Sequence, residues 1–189
     1  PVSRTDISLQ QHDGGVAVLF VRAIDFHSNA AALQVSRTTH ITITGGEGQL
    51  ASALSLYFPL ADYPGKQELD VTSPEACERY FSGRSVALII HTAAEIAYNA
   101  APDLLQTVNV EGTRHVTAWA EHLGARLVYL STDYCYPGTT GHYAEDAPCA
   151  PVGAYARSKY AGECIALEYP NALAIRTSFY SRLHWQAAA

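Results

Sequence analysis

The sequence is poor in several features that mark particular classes of protein. It contains no methionine, and only two of its twelve basic residues are lysine, Lys66 and Lys159. No apolar run approaches the ~18–20 residues that are needed to cross a bilayer. The N-terminus also lacks the basic start and apolar core of a signal peptide. The chain is therefore predicted to be soluble and cytoplasmic, with no membrane contact.

Paired cysteines and excess positive charge are absent as well. The four cysteines, Cys77, Cys135, Cys149 and Cys164, show no C-x-x-C pair and no other metal-ligand spacing. A domain of this size does not depend on disulfides, so we predict four reduced thiols and no metal site. Twelve basic against eighteen acidic residues give a net charge of −6. This balance disfavours nucleic acid or an anionic membrane as a partner and favours a small molecule or a protein.

What the chain does contain is typical of an α/β domain. Of its 189 residues, 48% are hydrophobic, which is enough for one globular domain with its own core. From residue 39 onwards, β-branched apolar runs alternate with helical segments, which predicts a doubly wound, mostly parallel sheet with helices on both faces. Strands are predicted at residues 39–44, 86–91, 126–131 and 172–176. Helices are predicted at residues 49–57, 74–81, 104–123 and 153–169.

Two segments do not fit this alternation. Residues 1–38 carry a single apolar run, at 16–21, which suits a short strand on a sheet edge. We predict that residues 1–38 are an N-terminal extension of unknown role and that 39–189 form one domain. Residues 134–152 are rich in Tyr, Pro, Gly and Thr and predict a long loop, which inside a compact domain is usually functional.

A glycine-rich turn follows the first predicted strand. Gly45, Gly48 and Ala51 fit a G-x-x-G-x-x-[GA] spacing between a β-branched strand and a helix. Glycines at such a turn let backbone N–H groups approach the pyrophosphate of a dinucleotide. The alternative is a tight turn without a ligand. An acidic residue that binds the adenosine ribose is expected ~20 positions on, but the intervening segment holds two prolines and makes a poor second strand, so the choice between NAD and NADP stays open.

A tyrosine and a lysine stand four residues apart in the last predicted helix. Tyr155 and Lys159 therefore share one face. The pair suits proton donation to a carbonyl during hydride transfer, because an ammonium stabilises the phenolate and lowers the pKa of a tyrosine towards the working pH. Thr132 ends a predicted strand, at the edge of the sheet where ligands bind. Its hydroxyl can bond the substrate oxygen as negative charge develops.

Together these motifs give a family resemblance. From about residue 39 to 176 the sequence resembles the extended short-chain dehydrogenase/reductase superfamily, most closely its dTDP-4-dehydrorhamnose reductase (RmlD-like) branch. Six motifs carry the resemblance in order: T-G-G-E-G-Q-L (44–50), E-L-D-V-T (68–72), V-N-V-E-G-T (108–113), L-S-T-D-Y (130–134), Y-A-R-S-K (155–159) and R-T-S (176–178).

The resemblance implies a Rossmann-like fold in which NADPH or NADH reduces the 4-keto group of a nucleotide-linked deoxysugar. The implied cofactor contacts are Gly45, Gly48, Gln49 and Leu50 at the pyrophosphate, Asp70 and Val71 at the adenine, Ala93 and Ala94 beneath the cofactor, and Tyr155 and Lys159. The implied catalytic residues are Thr132, Tyr155 and Lys159. The implied substrate contacts are Thr132 and Asp133.

Some of these residues have structural alternatives. Asp70 would equally suit the cap of the helix that starts near Pro74. Asn109 is interpreted as a residue that fixes the neighbouring backbone. His91, like the other histidines, has no paired ligand spacing and is interpreted as a satisfied core or surface residue.

The sequence departs from the family pattern in two places. Residues 95–98, E-I-A-Y, lack the threonine and aspartate that the branch usually shows there. Only residues 179–189 follow the R-T-S motif, so the substrate portion is expected to be largely absent. Two other functions therefore stand beside the reductase: a non-catalytic NAD(P)-binding regulatory subunit, and a sugar-nucleotide epimerase or dehydratase. The oligomeric state stays open, with a homodimer as one option.

Overall fold

A four-stranded sheet lies at the centre of the structure, a computed structural model that describes residues 40–97 and 99–178. Its strands, in their order across the sheet, are β1 (Ile41–Thr44), β2 (Leu88–His91), β3 (Arg126–Thr132) and β4 (Ala172–Thr177). β1 pairs with β2 and β2 with β3, both in parallel. Each strand lies within two residues of its predicted bounds, because long β-branched and aliphatic runs mark buried parallel strands clearly.

The helices follow the predicted order with one interruption. They are α1 (Gln49–Leu54), α2 (Pro74–Phe81), α3 (Pro102–Leu105), α4 (Gly112–Leu123) and α5 (Ala154–Leu167). The helix predicted at 104–123 begins at Pro102 and is interrupted between α3 and α4 by a π-helical turn, Gln106–Glu111. α2 has its predicted bounds, because Ser73 caps it by accepting a hydrogen bond from the Ala76 N–H and Pro74 fits its first turn. α1 ends at Leu54 rather than 57, since the chain then tightens into i→i−3 bonds.

The sheet is covered on both faces, as predicted. Alternate strand residues point to opposite sides, and on one side Ile89, Leu127 and Tyr129 join the apolar residues of α2, α4 and α5. On the other side, Ile43 and Ile90 pack with α1. The doubly wound, Rossmann-like arrangement is thereby confirmed.

The segment after α1, which the sequence predicts to make a poor strand, pairs only weakly with the sheet. Beside β1 the chain forms one isolated parallel bridge, between Thr42 and Asp62. Its two hydrogen bonds are from Ile43 N–H to the Asp62 carbonyl and from Asp62 N–H to the Ile41 carbonyl, both 2.8 Å. Pro59 and Pro64 bracket this segment, and a proline cannot donate to a sheet ladder. The pairing is therefore limited to a single bridge.

Several predictions concern parts of the chain outside the described residues. The strand predicted at 16–21 and the extension 1–38 lie there, as do residues 179–189, and the domain boundaries stay predictions. Within 40–97 and 99–178, no helix is long and apolar enough to cross a membrane. All four cysteines lie in this part of the chain and are free thiols, as predicted.

Candidate functional site

The glycine turn after β1 packs tightly against the end of β2. Gly45 has φ +70°, and a Cβ added there would lie 2.8 Å from the Ala93 Cα. A Cβ at Gly46 would overlap the Tyr63 carbonyl. Both glycines are therefore required by close approach of the backbone, and the turn brings Gly45 next to Ala93, one of the residues that the resemblance implies beneath the cofactor.

The surface beyond this turn fits a dinucleotide pyrophosphate. Gly48 and Gln49 are exposed at the start of α1, where no side chain caps the helix. The first N–H groups of a helix have no acceptor inside it and point outwards. No side chain caps these groups, and Gly48 has no side chain that would block a ligand. The N–H groups, including that of Leu50, are therefore available to phosphate oxygens.

A buried hydrogen-bond chain supports the floor of this site. The Thr44 hydroxyl accepts from the Ala93 N–H (3.2 Å) and lies 2.7 Å from His91 Nδ1. His91 Nε2 lies 3.2 Å from the Thr113 hydroxyl, which donates to the Asn109 carbonyl. Burial, with the nearby Lys159 ammonium, lowers the pKa of His91 to about 3, so the ring is neutral. His91 is thus a satisfied core residue, as interpreted from the sequence.

Asn109 lies in the π-helical turn and joins the loop after β2 to α5. Its amide oxygen accepts from the Glu95 N–H (2.8 Å), and its Nδ2 donates to the Glu95 carbonyl and the Ser158 hydroxyl (both 2.9 Å). The extra residue in the turn is what aims this side chain at both segments. The structural interpretation of Asn109 agrees with these contacts.

The predicted adenine contacts lie in the turn before α2. The Asp70 carboxylate accepts from the Thr72 N–H (3.0 Å) and hydroxyl (2.7 Å), and the hydroxyl bond is the main reason that its pKa is lowered. Ser73 caps α2, so the alternative that Asp70 caps this helix is wrong. The reason is distance along the chain, since Ser73 directly precedes the helix. Val71 is buried and packs against Gly112.

The end of β3 meets α5 at the predicted catalytic residues. β3 packs against α5, and the Thr132 hydroxyl lies near enough to the Tyr155 phenol to affect its ionisation; Lys159 lies one turn further along α5. Burial raises the pKa of Tyr155, and the Thr132 hydroxyl opposes this rise. The expectation that Lys159 lowers the pKa of Tyr155 is therefore not met in this structure: burial dominates, and the phenol keeps its proton at neutral pH.

Lys159 itself is almost fully buried. Its Nζ lies 4.3 Å from the centre of the Tyr129 ring, a cation–π contact. Burial lowers the pKa of Lys159 to about 7, while the negative charge of Glu163 opposes this shift. An amine that titrates near neutral pH can both donate and accept a proton, which suits a group that restores the proton of Tyr155.

Replacing Lys159 by methionine is expected to stabilise the fold below pH 7. Between pH 7 and 10.5 the unfolded chain binds a proton that the folded chain lacks, so stability rises with pH there. Below pH 7 both states are charged, and the folded state bears the whole cost of burial. The difference between 10.5 and 7 corresponds to at most about 5 kcal/mol, and we expect roughly 3.

Urea unfolding of the wild type and the methionine variant at about pH 6 and at about pH 10 tests this expectation. The gain from the substitution should be large at the lower pH and shrink at the higher one. The same gain at both values would contradict a buried lysine with a lowered pKa.

A cleft beside Tyr155 is formed by the long predicted loop. It has a volume of about 580 Å³ and is lined by Asp133, Tyr134, Tyr136, Gly138, Gly141, His142, Tyr143 and Val152. The Tyr136 and Tyr143 rings stack 4.8 Å apart, and Tyr134 meets Tyr155 edge-on. Asp133, the predicted substrate contact, thus lines a cleft next to Tyr155, the predicted catalytic tyrosine.

The chain is similar to known proteins in both sequence and structure. Residues 39–184 match the model of a family described as the RmlD substrate binding domain. A dTDP-4-dehydrorhamnose reductase of Mycobacterium tuberculosis is 34% identical over 160 residues, which cover 76% of this chain and 51% of that protein. The beta subunit of methionine adenosyltransferase 2 of Rattus norvegicus is 27% identical over 142 residues, 68% of this chain and 42% of that protein.

A solved structure shows the same arrangement. The dTDP-4-dehydrorhamnose reductase of Bacillus anthracis, in complex with NADP, superposes with a TM-score of 0.72 at 32% identity. The match covers 76% of this chain and 54% of that one. The chain thus spans about half the length of the relatives that it matches.

Proposed function

Because the chain belongs to the RmlD substrate binding domain family, we propose that it carries the cofactor site and catalytic residues of an NAD(P)H-dependent reductase. The substrate is a nucleotide-linked 4-keto-6-deoxysugar, as for dTDP-4-dehydrorhamnose reductase. The observation that carries the proposal is the arrangement of three side chains: Thr132, at the end of β3, lies near Tyr155 on α5, and Lys159 lies one turn further along the same helix.

The cofactor site of the proposal runs along the carboxyl ends of the strands. Gly45, Gly48, Gln49 and Leu50 hold the pyrophosphate, Asp70 and Val71 the adenine, and Ala93 and Ala94 form the floor. Bound NAD(P)H supplies the hydride. The uncapped α1 and the contact between Gly45 and Ala93 support this assignment.

The chain's own residues handle the proton. The Tyr155 hydroxyl donates its proton to the substrate's carbonyl oxygen, and Lys159 resupplies it, because an amine with a pKa of about 7 exchanges protons readily at neutral pH. The Thr132 hydroxyl donates a hydrogen bond to the same oxygen as charge develops on it. Asp133 contacts the sugar in the cleft beside Tyr155.

The proposal is tested by following NADPH absorbance in the presence of dTDP-4-dehydrorhamnose. Saturable loss of absorbance that depends on the sugar nucleotide supports it. A protein that binds NADPH but shows no turnover with any 4-keto-6-deoxysugar nucleotide contradicts it.

The substitution Thr132→Val is expected to lower kcat by about a hundredfold with little effect on the affinity for NADPH. It removes one hydrogen bond that forms to the substrate oxygen and strengthens in the transition state. Steady-state kinetics and a fluorescence titration with NADPH measure the two quantities. A variant whose kcat is unchanged would show that Thr132 does not contact the reacting carbonyl.

A second candidate is a non-catalytic NAD(P)-binding subunit. It is favoured by the similarity to the beta subunit of methionine adenosyltransferase 2. NADPH binding without turnover is the result that this candidate predicts. A homodimer and a cytoplasmic location stay predictions.

A further inference from the structure

A buried ion pair lies directly behind the proposed catalytic residues. The Glu163 side chain, on α5, is 2% exposed. Its carboxylate accepts two hydrogen bonds from Arg176 Nε (3.1 and 3.2 Å) and one from Arg176 Nη2 (2.6 Å). It also accepts one from the Ser131 hydroxyl (2.5 Å). Glu163 thus ties α5 to both β3 and β4, next to Thr132 on the one side and one turn beyond Lys159 on the other.

The other end of Arg176 holds the long loop. Its Nη1 donates to the Tyr136 hydroxyl (2.8 Å) and to the Glu145 carbonyl (2.9 Å), and the guanidinium lies 5.1 Å from the centre of the Tyr136 ring. The pair therefore connects three elements: α5, which carries the predicted proton donor Tyr155; β3, which ends at Thr132; and the loop that forms the cleft.

The surroundings of Lys159 give this pair an electrostatic role. The titratable groups that face the ammonium are His91 from β2, Tyr129 from β3, and Tyr155 and Glu163 from its own helix. Burial holds the pKa of His91 near 3 and raises the pKa values of Tyr129 and Tyr155. These three groups are uncharged at neutral pH, so Glu163 is the charged neighbour of Lys159 among them.

We propose that Glu163 and Arg176 are positioning residues for the reaction, acting as one unit. They tie α5 to β3 and β4, which fixes the spacing of Tyr155 and Thr132, and they place a negative charge near Lys159 that the charge of Arg176 partly offsets. The proposal rests on the proposed function through the roles of Thr132, Tyr155 and Lys159. The pair has two roles: it aligns β3 with α5, and it influences the charge state of Lys159.

An electrostatic role of the pair predicts a result that a purely structural role does not. Without Glu163, the remaining Arg176 charge repels the Lys159 ammonium. Without Arg176, the unbalanced carboxylate of Glu163 attracts it. An opposite charge near an ionisable group favours its charged form, and a like charge disfavours it. The two single substitutions should therefore move the titration of Lys159 in opposite directions.

Three glutamine variants of the full chain separate the cases: Glu163→Gln, Arg176→Gln and the double variant. At position 163 glutamine removes the charge and nearly keeps the shape of glutamate; at position 176 it removes the charge but also shortens the side chain and leaves fewer N–H donors, so Arg176→Lys is added as a control that keeps the charge. Because the chain has only two lysines, labelling lysine with ¹³C at Cε gives just two resonances to follow by NMR against pH. Lys66, whose side chain is 74% exposed, serves as the internal reference.

We expect the Lys159 midpoint to fall by about one pH unit in Glu163→Gln and to rise by about one in Arg176→Gln. In the double variant it should lie between the midpoints of the two single variants, because both charges are removed together. An Arg176→Lys variant, which keeps the positive charge, should titrate like the wild type; its additional resonance is identified by its absence from the other spectra.

Displacement of both single variants in the same direction, or no displacement in either, would overturn the proposal. If a single variant does not fold, the other single variant, the double variant and Arg176→Lys still distinguish the two roles, since only a charge effect is partly offset in the double variant and preserved by lysine. The titration needs neither cofactor nor turnover. A failure of the reductase assay and a failure of this inference are therefore separate results.

Discussion

The substitution Tyr155→Phe is expected to abolish reduction of a 4-keto sugar nucleotide while leaving NADPH binding almost unchanged. The phenol is the group that donates the proton, and burial raises its pKa, so it holds that proton at neutral pH. Removal of a positioned general acid costs typically 10²–10⁴-fold in rate, and we expect about a thousandfold loss of kcat. The ring that lies edge-on to Tyr134 is retained, so the packing at the site should persist.

A second tyrosine on the same helix provides the control. Tyr160 is five residues further along α5 and is not part of the proposed machinery, so Tyr160→Phe removes the same atom from the same element. Its kcat should stay within a factor of about two of the wild type. Equal kcat in the wild type and Tyr155→Phe, measured by NADPH absorbance, would remove Tyr155 from the mechanism.

Replacing Gly45 by alanine should have the largest effect on cofactor binding. At φ +70° an alanine is strained by ~1–2 kcal/mol, and its Cβ would in addition lie 2.8 Å from the Ala93 Cα. The turn after β1 and the end of β2 must then move apart, which distorts both sides of the proposed pyrophosphate site. We expect the Kd for NADPH to rise more than tenfold and the free energy of unfolding to fall by about 3 kcal/mol.

A substitution at Gly83 distinguishes the effect of backbone strain from the effect of the clash with Ala93. It has φ +73° with nothing within 4 Å of an added Cβ, so Gly83→Ala carries the backbone strain without the clash. This variant should lose only ~1–2 kcal/mol of stability and bind NADPH like the wild type. Isothermal titration and urea unfolding of both variants provide the comparison. Equal losses in the two proteins would mean that the contact with Ala93 is unimportant.

The elements with a strong local signal could be predicted from the sequence. Each strand contains a run of β-branched or aliphatic residues, and α2 has a serine cap followed by a proline, which explains why its predicted start agrees with the structure. The order of strand, glycine turn and helix predicted the turn at Gly45, whereas the contact of Gly45 with Ala93 depends on the packing of β1 against β2. The spacing of Tyr155 and Lys159 likewise placed them on one face of α5.

Features that depend on tertiary contacts could not be predicted in the same way. Nothing local distinguishes the π-helical turn at Gln106–Glu111 from an ordinary helix, because the extra residue is held by the contacts of Asn109 with Glu95 and Ser158. The effect of burial on the Tyr155 pKa follows from packing that the sequence does not display.

The partnership of Glu163 and Arg176 is of the same kind. Thirteen positions separate the two residues in sequence, on a helix and on the following strand. In the sequence, Arg176 stands within the R-T-S motif, and Glu163 belongs to none of the six motifs. A glutamate on the inner face of a predicted buried helix is the signal that could have found the pair, since a buried carboxylate requires a partner.

Transfer of hydride to the sugar is the central claim, and isotope labelling tests it most directly. The protein would be incubated with dTDP-4-dehydrorhamnose and with NADPH in which both hydrogens at C4 of the nicotinamide ring are replaced by deuterium, and the sugar nucleotide would be analysed by mass spectrometry and NMR. We predict a product with one deuterium at C4 of the sugar, formed by the wild type and lost in Tyr155→Phe. A sugar nucleotide that stays unreduced, or is reduced without deuterium, while NADPH is bound, would contradict the account.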